Sequence, residues 1–282
     1  MSEEGLEPAI RRILVALDAS PHSLAALEAA AELAAGLKAE LLGLFVEDIN
    51  LLRLAELPFA REMGDFSTTR RQLDILEVER ELRAQASRAR RALAIVAGRA
   101  QVPWSFRVAR GMIAAELLTA ATEADLVILG KVGWSPTGRR HMGSTARAVL
   151  SQATCLTLIL QEGVRLSLPI LVVYDGSTIA QKALAAAIRL VRGKNGYLTV
   201  LILADGPDVA RKFQTSVTKW LRERGLEARY RWLVGADVRH LPRIVDAEGC
   251  GMLVLPGQHS RVQSQGLLVW LDEVTCPVLL VR

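Results

Sequence analysis

The chain begins one pattern twice. Ile13-Leu14-Val15-Ala16-Leu17-Asp18-Ala19-Ser20 returns past the midpoint as Ile170-Leu171-Val172-Val173-Tyr174-Asp175-Gly176-Ser177. Each copy is an apolar run that ends in Asp, a small residue and Ser, and an Ala/Leu-rich stretch at helical spacing follows. The two copies also end alike, Ala153-Thr154-Cys155-Leu156-Thr157-Leu158-Ile159-Leu160 matching Val274-Thr275-Cys276-Pro277-Val278-Leu279-Leu280-Val281. A repeat of this span restricts the chain to two copies of one unit. Its 282 residues suit two domains of about 150 residues each. Continuous apolar runs of this length fit strands buried on both faces of a parallel sheet. Asp and Ser at a strand end can cap the helix that follows.

Between these landmarks strand and helix alternate. The first half predicts strands near 11–18, 40–47, 103–110, 125–130 and 156–161, with helices over 21–36, 68–97, 112–123 and 143–152. The second half predicts strands near 169–175, 197–204, 227–234, 251–256 and 277–282, with helices near 178–192, 207–224, 237–247 and 262–273. Such alternation gives an α/β fold with parallel sheets and right-handed crossovers. Gln161 to Leu168 reads as the linker. Asp48 to Thr69 is a long excursion after the second strand, where the second half has only Asp205-Gly206-Pro207. It predicts either a binding loop or a helix that packs domains together.

Composition removes several function classes. No apolar run reaches the roughly 18 to 20 residues of a membrane span, and Glu28 and Glu32 interrupt the most Ala/Leu-rich stretch. The N-terminus has no apolar signal region, so a cytoplasmic location is expected, with no membrane partner. The net charge of +5 raises nucleic acid as a ligand. However, the densest basic cluster, Arg80 to Arg91, alternates with Leu82, Ala86, Ala89 and Leu93, the signature of a solvated helix face. No nucleic-acid partner is expected. Cys155, Cys250 and Cys276 lack metal-ligand spacing. Cys155 and Cys276 read as small core residues, and the tryptophans 134, 220, 232 and 270 as core or interface. No Ser-His-Asp triad, Walker lysine or metal cluster is visible, so no catalytic residue and no metal ligand is assigned.

In open α/β sheets, ligands sit outside the carboxyl ends of the strands. The richest stretch at such an end runs from Leu129 through Gly130-Lys131-Val132-Gly133 to Arg139-Arg140-His141-Met142-Gly143-Ser144-Thr145. It follows a predicted strand and opens a predicted helix. Glycine lets backbone approach phosphate oxygens closely, and a helix N-terminus favours an anion. Arg139, Arg140 and His141 read as a solvated loop tip or as phosphate partners.

At these residues the chain resembles the universal stress protein family. That family's ATP signature is Gly, two residues, Gly, nine residues, Gly, then Ser or Thr, and Gly130, Gly133, Gly143 and Ser144 fit it. The resemblance covers nearly the whole chain and implies a tandem protein, with domains at 1–162 and 169–282. It implies two Rossmann-like, doubly wound parallel five-stranded sheets of order 3-2-1-4-5, related by a pseudo-two-fold and packed through their last strands. It implies ATP as ligand, with or without magnesium. Asp18 and the adjoining Ala19 would hold the ribose or adenine side, and the backbone at Val46, ending the second strand, would contact adenine. Leu129 and Gly130 would line the nucleoside, with Gly133, Gly143, Ser144 and Thr145 on the phosphates. A homodimer of tandem chains is the implied further partner.

The second half departs from the pattern. With Cys276 aligned to Cys155, Ser264 and Gln265 replace Gly143 and Ser144, while Pro256 and His259 replace Gly130 and Gly133. The connection is five residues shorter. Asp175 persists, but the cradle does not. The leading expectation is therefore an ATP-binding regulatory protein, occupied in the first half only and not an enzyme. One alternative is an interaction module that binds no nucleotide. Another is an adenylyl-transfer or pyrophosphatase-type enzyme, against which the glycine-free Asp18-Ala19-Ser20-Pro21-His22-Ser23 turn argues.

Overall fold

The computed structural model describes residues 10–57, 61–63, 70–72, 74–132, 142–161, 163–164, 166–191, 198–235, 241–257 and 271–282. In the first half the order is β1 (Arg12–Ala16), α1 (Pro21–Leu37), β2 (Glu40–Asp48), α2 (Ile49–Ala55), β3 (Arg61–Met63), β4 (Arg70–Gln72), α3 (Ile75–Ala100), β5 (Trp104–Gly111), α4 (Ile113–Ala121), β6 (Leu126–Gly130), α5 (Ser144–Gln152) and β7 (Leu156–Leu160). The second half continues with β8 (Ile170–Tyr174), α6 (Thr178–Val191), β9 (Leu198–Ala204), α7 (Pro207–Arg222), β10 (Ala228–Val234), α8 (Leu241–Glu248), β11 (Met252–Pro256) and β12 (Val278–Val281). The helix expected at 262–273 falls largely outside the described residues.

The two expected sheets are one. A single ten-stranded sheet runs β10-β9-β8-β11-β12-β7-β6-β1-β2-β5. Within each half the strands follow the order third, second, first, fourth, fifth, and every pairing inside a half is parallel. Among the described residues of this sheet the junction is the one antiparallel pairing, Leu279 facing Leu158, Val278 facing Ile159 and Leu280 facing Thr157. Aligning Cys155 with Cys276 also aligns Leu158 with Leu279, so the pairing is centred on equivalent residues of the two copies. The physical reason for one sheet is the apolar edge. Every residue of β7 and β12 is buried, and pairing the two satisfies backbone groups that would otherwise be orphaned away from water.

Both faces of this sheet carry a core that crosses the junction. Leu158 and Leu279 belong to the layer under α1, α3, α6 and α7, while Ile159, Val278 and Leu280 belong to the layer under α4, α5 and α8. This is the two-residue alternation of a strand buried on both sides. Helix α3 is amphipathic: Val78, Leu82, Ala86, Ala89, Leu93 and Ala97 are buried, and on its solvent side Arg83 pairs with Glu79 and Arg88 with Glu81. The helix begins later than its periodicity suggests because Arg70–Gln72 pairs antiparallel with Arg61–Met63 and Asp74 caps it by accepting from the Leu76 amide at 2.9 Å. The excursion thus holds the short helix α2 and the strand β3, which pairs with β4 just beyond it. Asp48 caps α2 through the Asn50 amide.

Candidate functional site

The strand ends of the first half gather most of the assigned residues at one edge of the sheet. Asp18 is exposed after β1, and its Oδ1 accepts the Ser20 amide at 2.9 Å. Ser20 caps α1 by accepting from the Ser23 amide. The second half repeats this, Asp175 accepting from Ser177 and Ser177 from Ala180. The Asp-small-Ser element therefore builds a turn and a cap in both halves, including the one whose sequence lacks the glycine signature. Ala19 holds a left-handed backbone with φ 60°, where its counterpart Gly176 has φ 81°. A Cβ at such a position is unfavourable by about 1 kcal/mol. Val46 is half-buried in β2 opposite Ala109, and the strand runs on to Asp48 rather than ending at Val46. Leu129 is buried in the core, and half-buried Gly130 ends β6.

Gly130 and Gly143 lack a side chain for different reasons. A Cβ on Gly130 would lie 2.9 Å from the Cβ of His22 and 3.3 Å from its carbonyl carbon. Close packing of β6 against the start of α1 thus accounts for this glycine. Gly130→Ala is expected to cost about 1–3 kcal/mol by overpacking, read as a lower denaturation midpoint; a neutral result would show that α1 yields without cost. Gly143 is the N-cap of α5, with φ −62° and ψ 155° and no side-chain cap bond. Any residue adopts that conformation, and Ser or Asp would cap better. No backbone requirement explains its glycine. Ser144 is exposed and Thr145 half-buried in the first turn of α5. Gly133, together with Trp134, Arg139, Arg140 and His141, lies outside the described residues.

The most connected residue of this edge is one the sequence reasoning passed over. Lys131 is 4% exposed. Its amide donates to Leu160 O, and its carbonyl accepts the Gly143 amide at 2.9 Å, closing the base of the long loop. Its ammonium donates to two main-chain oxygens of the second half, Asp272 at 3.0 Å and Val274 at 2.8 Å. Gln161 Nε2 also donates to Val274 O. Asp272 in turn accepts the Met142 amide at 2.8 Å and the Arg147 guanidinium. Both ends of the loop between β6 and α5 are therefore held by the turn that precedes β12. The antiparallel junction makes this possible, since it lays the amino end of β12 beside the carboxyl ends of β6 and β7. In the reciprocal contact, Arg282 donates to the carbonyls of Leu150 and Ser151.

Burial pushes the Lys131 pKa below its ordinary value of 10.5, and the Asp272 charge offsets part of that. The sign of the pH effect follows. Between the folded value and the ordinary one, the unfolded chain binds the proton that the folded chain has released, so stability rises with pH across that window. Lys131→Met abolishes this rise. It also leaves Asp272 O without the ammonium, at a cost of about 1–3 kcal/mol. Chemical denaturation of both proteins at neutral pH and at pH about 10 checks this; a wild-type advantage that does not grow with pH contradicts it.

Other expectations resolve differently. Cys155 and Cys276 are half-buried rather than core, whereas Cys250 is buried. Trp232 is exposed and donates to Gln214 at 2.7 Å, and Trp220 carries the Arg224 guanidinium 4.1 Å above its ring. A groove of about 570 Å³ lies on the second half, lined by Arg211, Lys219, Arg222 and Trp232 of α7 and β10.

The universal stress protein family model matches residues 9–161. No curated protein sequence matches the chain. Among solved structures, a universal stress protein from Archaeoglobus fulgidus DSM 4304 is similar with a TM-score of 0.74 at 16% identity, over 96% of this chain and 98% of its own. A protein from Pseudomonas aeruginosa UCBPP-PA14 gives 0.65 at 16% identity, over 96% and 93%. A functionally unknown protein from P. aeruginosa PAO1 gives 0.61 at 15%, over 96% and 92%. At these identities the structural likeness speaks for the α/β fold. The family match takes in β1 through β7 and the entire glycine-rich edge, more than half of the residues, and on that ground the chain belongs to the universal stress protein family.

Proposed function

We propose that the chain is a tandem universal stress protein, with domains at 1–162 and 169–282, that binds one ATP at the carboxyl edge of the first. The observation that carries this reading is Gly143. It caps α5 without a side chain although its backbone accepts one, and it leaves the first amides of a nine-residue helix uncapped, which is what an approaching phosphate requires. Gly133, Ser144 and Thr145 would share the phosphates, with Asp18, Ala19, Val46, Leu129 and Gly130 on the nucleoside side. Magnesium, where it accompanies ATP, would ride on the phosphates, since the described residues offer no cluster of three metal-ligating side chains. The role is regulatory, with the nucleotide as signal rather than as a substrate turned over quickly, in a cytoplasmic protein that forms homodimers. Among the described residues no helix is long and apolar enough to cross a membrane.

Calorimetric titration tests the stoichiometry and is expected to give one site per chain. At about 100 times Kd, ATP should stabilise the protein by about 2.7 kcal/mol. Two equal sites would contradict the loss of the second cradle.

A nucleotide-independent interaction module is the second reading. Two observations favour it: the Asp18 turn recurs in the half that lacks a cradle, and packing against His22 already accounts for Gly130. Absence of any heat with ATP would decide for it.

A further inference from the structure

At the amino ends of the adjacent parallel strands β11 and β12, the sulfurs of Cys250 and Cys276 lie 3.5 Å apart as free thiols. The first half has no such pair, because Ala124 occupies the place of Cys250 beside Cys155. Cys276 precedes β12 by two residues and follows Val274 by two. It therefore belongs to the turn whose Asp272 and Val274 oxygens hold Lys131, and whose Asp272 carboxylate holds Met142. We propose that Cys250 and Cys276 are a reversible redox site, oxidised by hydrogen peroxide, whose disulfide displaces the 272–276 turn and loosens its hold on the loop between β6 and α5.

The geometry needs the movement of one turn rather than of a strand. A disulfide requires sulfurs at about 2.05 Å, so the two must approach by about 1.5 Å. Cys250 anchors on its strand side through Gly251, whose amide donates to Pro169 O at 2.9 Å and where an added Cβ would run into Ser167. Cys276 sits in a turn and is half-buried, so the turn is the side that moves. Lys131 bonds of 2.8 and 3.0 Å do not survive a displacement of that size unchanged.

The thiols also divide the chemistry. The hydrogen bond between the two sulfurs holds the Cys250 thiol below its ordinary pKa, and the same bond with burial holds Cys276 above it. That division makes Cys250 the attacking sulfur and Cys276 the resolving one. Its sulfur takes one peroxide oxygen, the O–O bond breaks, and the departing hydroxide is protonated to water, leaving a sulfenic acid. Cys276 then gives up its proton and attacks the Cys250 sulfur. The S–S bond forms as the sulfenic hydroxyl leaves as a second water. Two thiols and one peroxide give one disulfide and two waters, with two electrons passing from sulfur to peroxide.

The test uses the full chain and hydrogen peroxide, without nucleotide. After peroxide removal, thiols are alkylated in denaturant and peptides are mapped without reductant. The expected result is loss of two of the three thiols, a cross-linked peptide pair carrying Cys250 and Cys276, and full recovery with dithiothreitol. Cys155→Ser should behave likewise, and Cys276→Ser should yield no bridge. Amide exchange at Met142 and Gly143 should quicken about fivefold on oxidation, the loss expected for a single hydrogen bond. Three titratable thiols after treatment, or a bridge that includes Cys155, would overturn the redox site. A Cys250–Cys276 bridge with exchange at Met142 and Gly143 unchanged would overturn the coupling.

Discussion

Changing Leu158 and Leu279 together to lysine is expected to part the two halves of the sheet and to bring the chain out of solution. The two leucines face each other across the antiparallel junction of the large sheet, at 1% and 3% exposure. Directly opposed side chains sit about 5 Å apart. The double variant therefore places two like charges together in a water-free layer and removes two leucines from the core. Loss of each leucine costs about 2–5 kcal/mol, and an unpaired buried charge adds several more. The sum is comparable to the whole stability of a domain, about 5–15 kcal/mol. Light scattering after size exclusion should show aggregates, and limited proteolysis should cut between 161 and 168. A soluble variant with wild-type proteolysis would mean that the helix layers, and not this strand pair, hold the halves together.

Gly143→Val is expected to weaken ATP binding by about 100-fold or more, roughly 2.7 kcal/mol, while the chain stays folded. The backbone at φ −62° and ψ 155° is open to a β-branched residue, so the fold loses only a cap preference of about 1 kcal/mol. The added methyls would occupy the space a phosphate oxygen needs next to the first amides of α5. Titration calorimetry and a melting curve on the same sample separate the two effects. An unaltered affinity would remove the phosphates from this helix end. A collapse of the melting temperature would instead give Gly143 the packing role that His22 gives Gly130.

Strands and helices are readable because parallel strands buried on both faces appear as unbroken apolar runs, as in Ile13 to Leu17 and Val200 to Leu203. The helix start at Ser20 was readable because a cap is a local event, completed within three residues. Misplaced features depend on distant partners. Helix α3 was expected to reach back to residue 68 because nothing near it announces that Arg70–Gln72 pairs with Arg61–Met63. In the sequence Lys131 is one of two residues between Gly130 and Gly133, and its partners lie 141 and 143 positions later. One signal was available: a lysine directly after a fully apolar strand has to find oxygens or drag water inward. The merger of two sheets into one was visible only as two apolar last strands, since register is set by contact and not by composition.

The join between β7 and β12 also has a consequence for synthesis. Translation adds about 5–20 residues per second, and β12 follows β7 by about 120 residues, an interval of roughly ten seconds. Throughout that time the first half can complete β1 to β6 and their helices, yet the outer side of β7 has nothing to pair with. Nascent copies on one messenger would then present the same bare Leu156–Leu160 strand to each other. Growth of the second copy is thus a race between its own final strand and a neighbour's, and anything that slows the ribosome between the linker and Val278 lengthens it.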